Sequence, residues 1–164
     1  MSLSIGQKAP DFALYDQDKK MWSLNDFKGK NIVLFFFPGA WTGNCTKEMC
    51  AIQEDYNEYA KLGAKPIGIS VDSIFALKRF KEDYKLNDLL LLSDFNKDAI
   101  KAYDIVFNNF AGVGANGVAK RSTFVIDKDG VIRFMEVLAT PGEFPSMDKI
   151  KQAVEELSVE KVGK

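Results

Sequence analysis

The sequence contains no histidine. This absence excludes Ser–His and Cys–His catalytic pairs, an imidazole general base and any zinc site that uses a histidine ligand. If a cysteine is reactive in this protein, its activating group has to be a helix terminus, an arginine or a lysine.

Excess charge of one sign and long apolar runs are also lacking. With 22 basic and 23 acidic residues the net charge is -1, so there is no surplus of lysine and arginine for nucleic acid. No apolar stretch approaches the roughly 20 residues of a membrane helix, and the N-terminal segment has no apolar region typical of a secretory signal. We therefore expect a cytoplasmic protein that binds neither nucleic acid nor a membrane.

What is present suits one globular domain over residues 1–164, with a core from about 5 to 157 and a short frayed C-terminal tail. Apolar runs and turn signals predict strands, which lie at 31–37, 66–71, 89–92, 123–127 and 131–137. Helical spacing predicts helices at 43–62, 73–84, 97–103 and 144–157, with a loop at 104–119. This alternation indicates an α/β fold with a central mixed sheet and helices on both faces.

The two cysteines, Cys45 and Cys50, both lie in the segment FFFPGAWTGNCTKEMC, where a predicted strand gives way to a predicted helix. Thr42 is the predicted N-cap of that helix and accepts a backbone hydrogen bond. Cys45 would then lie in the first turn, where free N–H groups and the helix dipole favour a thiolate. Cys45 is therefore the candidate nucleophile, and Cys50 is a second sulfur close to it in sequence.

Helical geometry separates the two sulfurs. A stripe of residues is predicted to face the core, and its members are Cys45, Met49, Ile52, Tyr56, Tyr59 and Ala60. Cys50 falls off this stripe. Two helical residues five apart have Cα atoms about 8.6 Å apart, whereas a disulfide requires less than about 7 Å. A Cys45–Cys50 disulfide would therefore require the first turns of the helix to unwind.

The spacing of Pro38, Thr42 and Cys45, together with the segments GQKAPDFAL, GISVD and RSTFVID, resembles the peroxiredoxins over nearly the whole chain. The resemblance implies a thioredoxin-like fold and a thiol-dependent peroxidase that reduces hydrogen peroxide and organic hydroperoxides without a cofactor or metal.

The same resemblance implies a role for each matching residue. Cys45 corresponds to the peroxidatic cysteine, Thr42 to the threonine that contacts the peroxide, and Pro38 to the proline that shields the sulfur. Arg121 matches the arginine that stabilises the thiolate, and Glu48 a glutamate that orients this arginine. Cys50 matches the resolving cysteine of the bacterioferritin-comigratory (Q) subgroup, which implies thioredoxin or a similar dithiol protein as the reductant.

Three alternatives stay open. The protein could be a one-cysteine peroxidase that uses an external thiol, a metal chaperone that uses both cysteines, or a non-catalytic thioredoxin-like binding module. The residues between Pro38 and Thr42 are Gly-Ala-Trp rather than the polar residues typical of the Q subgroup. Trp41, with Phe107 and Phe110 from the 104–119 loop, suggests an apolar patch near the site. We interpret this patch as a homodimer contact or a hydroperoxide pocket.

Overall fold

The computed structural model describes residues 3–162, and the side chains of residues 3–158. Its nine strands are β1 (Ala13–Asp16), β2 (Met21–Ser23), β3 (Asn31–Phe36), β4 (Ala64–Ser70), β5 (Leu90–Ser93), β6 (Val106–Phe107), β7 (Val118–Ala119), β8 (Ser122–Ile126) and β9 (Ile132–Val137). The α-helices in the same range are α1 (Gly43–Glu54), α2 (Tyr56–Lys61), α3 (Ile74–Tyr84), α4 (Asp98–Ala102) and α5 (Met147–Val162).

Seven strands form one mixed sheet in the order β2-β1-β5-β4-β3-β8-β9. The central strands β3, β4 and β5 run parallel, and β8 pairs antiparallel with β3. Parallel strands need crossover connections, and here the helical segment α1–α2 and then α3 supply them. The predicted α/β class with a mixed sheet is confirmed.

Strand β3 is buried along its whole length and separates two apolar cores. Ile32, Leu34 and Phe36 pack on the face that carries α4. On the opposite face, residues of β3 pack with Cys45 and Met49 of α1 and with side chains of α3 and α5. Because side chains alternate along a strand, a continuous apolar run is what burial on both faces requires. The strand therefore provides the apolar surface against which α1 packs.

Three predicted boundaries were wrong. The single helix expected at 43–62 is interrupted at Asp55, whose ψ of 4° leaves the helical region and whose carboxylate pairs with Lys151 at 2.8 Å. The register changes there, so Tyr59 remains buried while Ala60 is exposed and Tyr56 only half-buried. The expected loop at 104–119 contains the strand pair β6–β7. The last helix runs from Met147 to Val162 instead of 144–157.

Candidate active site

Cys45 lies just after the loop that connects β3 to α1. β3 ends at Phe36, buried Pro38 follows, and α1 begins at Gly43. Cys45 is therefore the third residue of the helix and is completely buried. A sulfur in the first turn faces backbone N–H groups that have no partner within the helix, so the predicted first-turn position of Cys45 is confirmed.

Thr42 occupies the N-cap position, but its side chain does not cap the helix. Its backbone is extended, and no side-chain capping bond forms. Instead the hydroxyl donates to the carbonyl oxygen of Gly39 at 3.1 Å, while the Thr42 carbonyl accepts from Thr46. The capping bond predicted from the sequence was wrong. Because the Thr42 side-chain oxygen accepts no bond from the first turn, the N–H groups there stay available to an anion.

Trp41, immediately before Thr42, has a left-handed backbone with φ of 72°. This conformation is unusual for a bulky residue and costs of order 1–3 kcal/mol, so the surroundings must hold it in place. The indole packs against Phe80 and Tyr84, with ring centroids 5.5 and 6.5 Å away. Phe107 instead pairs with Phe110, so the three aromatic residues proposed as one patch belong to two ring clusters.

Arg121 reaches Cys45 from the sheet. It precedes β8, and its Nη1 lies 3.3 Å from Cys45 Sγ and 2.7 Å from Glu48 Oε1. Both charged side chains are buried, with 1% exposure for Arg121 and 0% for Glu48. The structure therefore brings together three residues that the sequence singled out. A guanidinium beside the sulfur stabilises a thiolate, because a charge-assisted contact is strong inside a protein.

Burial has opposite effects on the two charged partners. It raises the pKa of Glu48 to about 7, against the opposing influence of Arg121. Burial also disfavours the charge of Arg121, but Cys45 and Glu48 together outweigh it, so the pKa of this guanidinium is raised. Among the residues that the structure describes, Glu48 Oε2 and Arg121 Nε have no hydrogen-bond partner.

Two further groups complete the site, and no sequence pattern pointed to either of them. The Pro141 carbonyl accepts from Arg121 Nη2 at 3.1 Å and from Asn44 Nδ2 at 3.2 Å. The loop after β9 is thereby tied both to the arginine and to the first turn of α1. A narrow pocket beside Arg121 is lined by Pro38, Phe107 and Pro141 among others, which is where the predicted shielding proline lies.

Cys50 lies five residues after Cys45 in the same uninterrupted helix, and both thiols are free. It is half-buried, and burial together with nearby Glu54 raises the pKa of its thiol. Farther along α1, Gln53 Oε1 accepts from the backbone N–H groups of Asp88 and Leu89, both at 3.0 Å. The C-terminal part of α1 is therefore tied to the segment before β5, whereas the turn with Cys45 is tied to the Pro141 loop.

Among the side chains that the structure describes, those of residues 3–158, no group of three of the His, Cys, Asp or Glu type could hold a metal ion. None of the helices within residues 3–162 is long and apolar enough to cross a membrane.

A first-turn cysteine facing a buried arginine, on a thioredoxin-like sheet, is the arrangement of a thiol peroxidase. The chain belongs to the AhpC/TSA family, whose model matches residues 5–135. It is 42% identical to peroxiredoxin Bcp of Bacillus subtilis over 132 residues, or 79% of this chain and 82% of that protein. It is 38% identical to the chloroplastic peroxiredoxin Q of Oryza sativa subsp. japonica over 133 residues, 81% of this chain and 58% of that longer protein.

A solved structure of reduced Prx3 from Vibrio vulnificus in complex with hydrogen peroxide superimposes with a TM-score of 0.82. It is 26% identical and covers 93% of this chain and 99% of its own. The resemblance to peroxiredoxins, the thioredoxin-like fold and the assignment as a thiol-dependent peroxidase are thereby confirmed.

Proposed function

We propose that Cys45 is the peroxidatic cysteine, that Cys50 resolves the oxidised form, and that a thioredoxin-like dithiol protein returns the enzyme to the reduced state. The observation that carries this proposal is the 3.3 Å contact between Arg121 Nη1 and Cys45 Sγ in the first turn of α1. The proposed substrate class is hydrogen peroxide and organic hydroperoxides. The hydrogen peroxide bound to the related Vibrio vulnificus protein supports the first of these.

In the first step the Cys45 thiolate attacks the terminal oxygen of ROOH. An S–O bond forms as the O–O bond breaks, giving Cys45–SOH and RO⁻, which takes up a proton and leaves as ROH. The sulfur is oxidised by two electrons and the peroxide is reduced by two. Arg121 and the first-turn N–H groups stabilise the negative charge as it moves from sulfur to the departing oxygen.

Three residues support this step. Thr42 contacts the peroxide through its hydroxyl, whose oxygen keeps free lone pairs while the hydrogen is engaged by Gly39. Pro38 is buried and helps to keep water away from the sulfur. Glu48 holds the Arg121 guanidinium in place through the 2.7 Å ion pair, so that one nitrogen can face both the carboxylate and Cys45.

In the second step the Cys50 thiolate attacks the sulfur of Cys45–SOH and hydroxide leaves, so that an S–S bond replaces the S–O bond. A dithiol protein then reduces this disulfide by exchange and becomes oxidised itself. The raised pKa of Cys50 keeps most of its thiol protonated at neutral pH, which makes Cys50 a poor competitor for the peroxide. The first turns of α1 have to unwind before the two sulfurs meet.

The domain organisation and the cellular location are part of the same proposal. All of these groups belong to one domain, and two free thiols suit the reducing cytoplasm.

The loop with Phe107 and Phe110 also carries Val113, which is 78% exposed, and we assign this loop to a homodimer contact. Sedimentation of the wild type beside Val113→Asp tests the contact: the wild type should sediment as a dimer and the variant as a monomer.

The decisive experiment follows peroxide consumption with a thioredoxin system, comparing the wild type with Cys45→Ser and Cys50→Ser. We expect no turnover without Cys45, and loss of thioredoxin-driven turnover without Cys50 that dithiothreitol partly restores. Full activity of Cys45→Ser would overturn the assignment of the attacking residue.

The one-cysteine mechanism is the second candidate, because α1 is intact across both cysteines and holds them apart. It predicts that Cys50→Ser turns over at the wild-type rate with thioredoxin or with a small thiol. Mass spectrometry after one equivalent of peroxide separates the two mechanisms. An intramolecular disulfide supports Cys50 as the resolving residue, whereas a persistent sulfenic acid supports the external thiol.

A further inference from the structure

The loop that carries Trp41 and Thr42 is held by a carboxylate from another strand. Asp72 follows β4, and its Oδ2 accepts the backbone N–H of Ala40 at 2.7 Å. The two residues are 32 positions apart, and β4 lies beside β3 in the sheet. The bond therefore ties the active-site loop to the end of the neighbouring strand.

The Asp72 carboxylate is itself held in position. Its Oδ2 also accepts the hydroxyl of Ser70 at 2.7 Å, and Ser70 is completely buried. The Asp72 carbonyl accepts the Ser93 hydroxyl at 2.6 Å, so β5 contributes as well. Because two strands fix the position of Asp72, its hydrogen bond restrains the position of Ala40.

Ala40, which Asp72 restrains, is next to Trp41, whose backbone is strained. Ala40 directly precedes Trp41, whose φ of 72° a bulky side chain does not adopt without external restraint. The indole is held by Phe80 and Tyr84, and Asp72 restrains the peptide on the other side. If the Asp72 bond is lost, the loop can relax toward negative φ, and Thr42 then moves relative to Cys45.

We infer that Asp72 is a positioning residue of the peroxidase, which holds the 39–42 loop so that Thr42 presents the peroxide to Cys45. This inference rests on the proposed role of Cys45. In the described part of the chain, no hydrogen bond or ion pair joins Asp72 to Cys45 or to Arg121. Asp72 acts through Ala40, so its effect falls on the geometry of the reaction.

The test is the rate of Cys45 oxidation by hydrogen peroxide in single-turnover stopped flow, for the wild type, Asp72→Ala and Asp72→Asn. A misplacement of about 1 Å can cost about 100-fold in rate, and we expect a loss of about 10- to 100-fold for Asp72→Ala. One oxygen, Asp72 Oδ2, accepts both the Ala40 N–H and the Ser70 hydroxyl. The amide oxygen of asparagine can accept both bonds in the same way, so Asp72→Asn should recover most of the rate.

A second readout separates positioning from general damage. Alkylation of Cys45 by iodoacetamide requires the thiolate but no bound peroxide, so Asp72→Ala should alkylate at nearly the wild-type rate. The matched control is Asp26→Ala, which removes a carboxylate that accepts the Ser23 N–H at 2.7 Å in the segment after β2. This control should oxidise and alkylate like the wild type.

Three results would overturn the inference: an Asp72→Ala protein that reacts with peroxide at the wild-type rate, one whose oxidation and alkylation fall equally, or an Asp72→Asn protein as slow as Asp72→Ala. Failure of the proposed function itself looks different. In that case the wild type shows no peroxide-dependent oxidation of Cys45, whatever residue stands at position 72.

Discussion

Arg121 and Glu48 form a buried ion pair of 2.7 Å, and the arginine nitrogen of that pair is the same atom that contacts Cys45. The carboxylate and the sulfur thus share one donor. A charge buried this deeply is costly unless it is paired, so each member of the group depends on the others. This dependence gives the first two predictions.

Arg121→Lys should slow the reaction of Cys45 with peroxide. A lysine offers a single point charge and cannot engage Cys45, Glu48 and the Pro141 carbonyl together. Loss of one transition-state donor typically costs about 100- to 1,000-fold, and stopped-flow oxidation measures it. The matched control is Arg79→Lys on α3, whose side chain is 72% exposed in a surface ion pair. Equal rates for Arg121→Lys and the wild type would contradict the role of the guanidinium.

Glu48→Gln should remove a pH dependence of stability. Burial raises the pKa of Glu48 from 4.5 to about 7, so the folded protein holds this proton more tightly than the unfolded chain does. The contribution of Glu48 to stability is greatest below pH 4.5 and is lost as the pH rises to about 7.

Urea unfolding of both proteins across this window checks the prediction. The stability of the wild type relative to Glu48→Gln should fall as the pH rises, by at most about 1.4 kcal/mol per pH unit. Parallel stability profiles for the two proteins would show that Glu48 does not titrate in this range.

Oxidation by one equivalent of peroxide should unwind the start of α1 and leave its end intact. The segment from Gly43 to Cys50 has to open for the disulfide, whereas Gln53 anchors the following turn to Asp88 and Leu89. Hydrogen exchange should show new exposure of about two helical turns. Gln53→Ala should extend the exposure to Glu54, and Cys50→Ser should show none. Unchanged exchange in the oxidised wild type would contradict the unwinding step.

Gly68→Ala should destabilise the fold beneath α1. A Cβ at this position of β4 would lie 2.6 Å from Leu91 Cδ2 and 3.0 Å from Met49 Sδ, so the side chains of Leu91 and of Met49 on α1 have to move. Overpacking of this kind costs about 1–3 kcal/mol, which thermal or urea unfolding detects. Gly142→Ala is the control, since apart from its two chain neighbours no residue has an atom within 4 Å of the added carbon. Wild-type stability of Gly68→Ala would mean that the core adapts freely.

The parts of the fold that follow from local pattern were predictable. The apolar run of β3 and the turn at Lys128-Asp129-Gly130 place a buried strand and a hairpin close to where they occur. The break at Asp55 was not predictable, because helical spacing continues through it. It accompanies an ion pair with Lys151, whose position on α5 depends on the finished fold.

The residues of the site also divide into those that a local sequence signal predicts and those that depend on contacts distant in sequence. The first-turn position of Cys45 is a local property, and the sequence predicts it. Arg121 lies 76 residues from Cys45, so only the family resemblance could connect the two. Asn44, Pro141 and Asp72 were missed, since each acts through a backbone group that is distant in sequence. Thr42 was found, but its hydroxyl bonds to Gly39 rather than capping α1.

The location of Glu48 between the two cysteines has a consequence for redox energetics. In the proposed cycle, the unwinding that joins Cys45 to Cys50 also withdraws Glu48 from Arg121. The guanidinium then remains at the sheet with the Pro141 carbonyl as its contact, and its charge is no longer neutralised. This penalty falls on the disulfide form alone, so it raises the reduction potential of the couple and favours transfer of electrons from the reducing dithiol. Loss of the ion pair in the disulfide form therefore favours return of the oxidised enzyme to its reduced state.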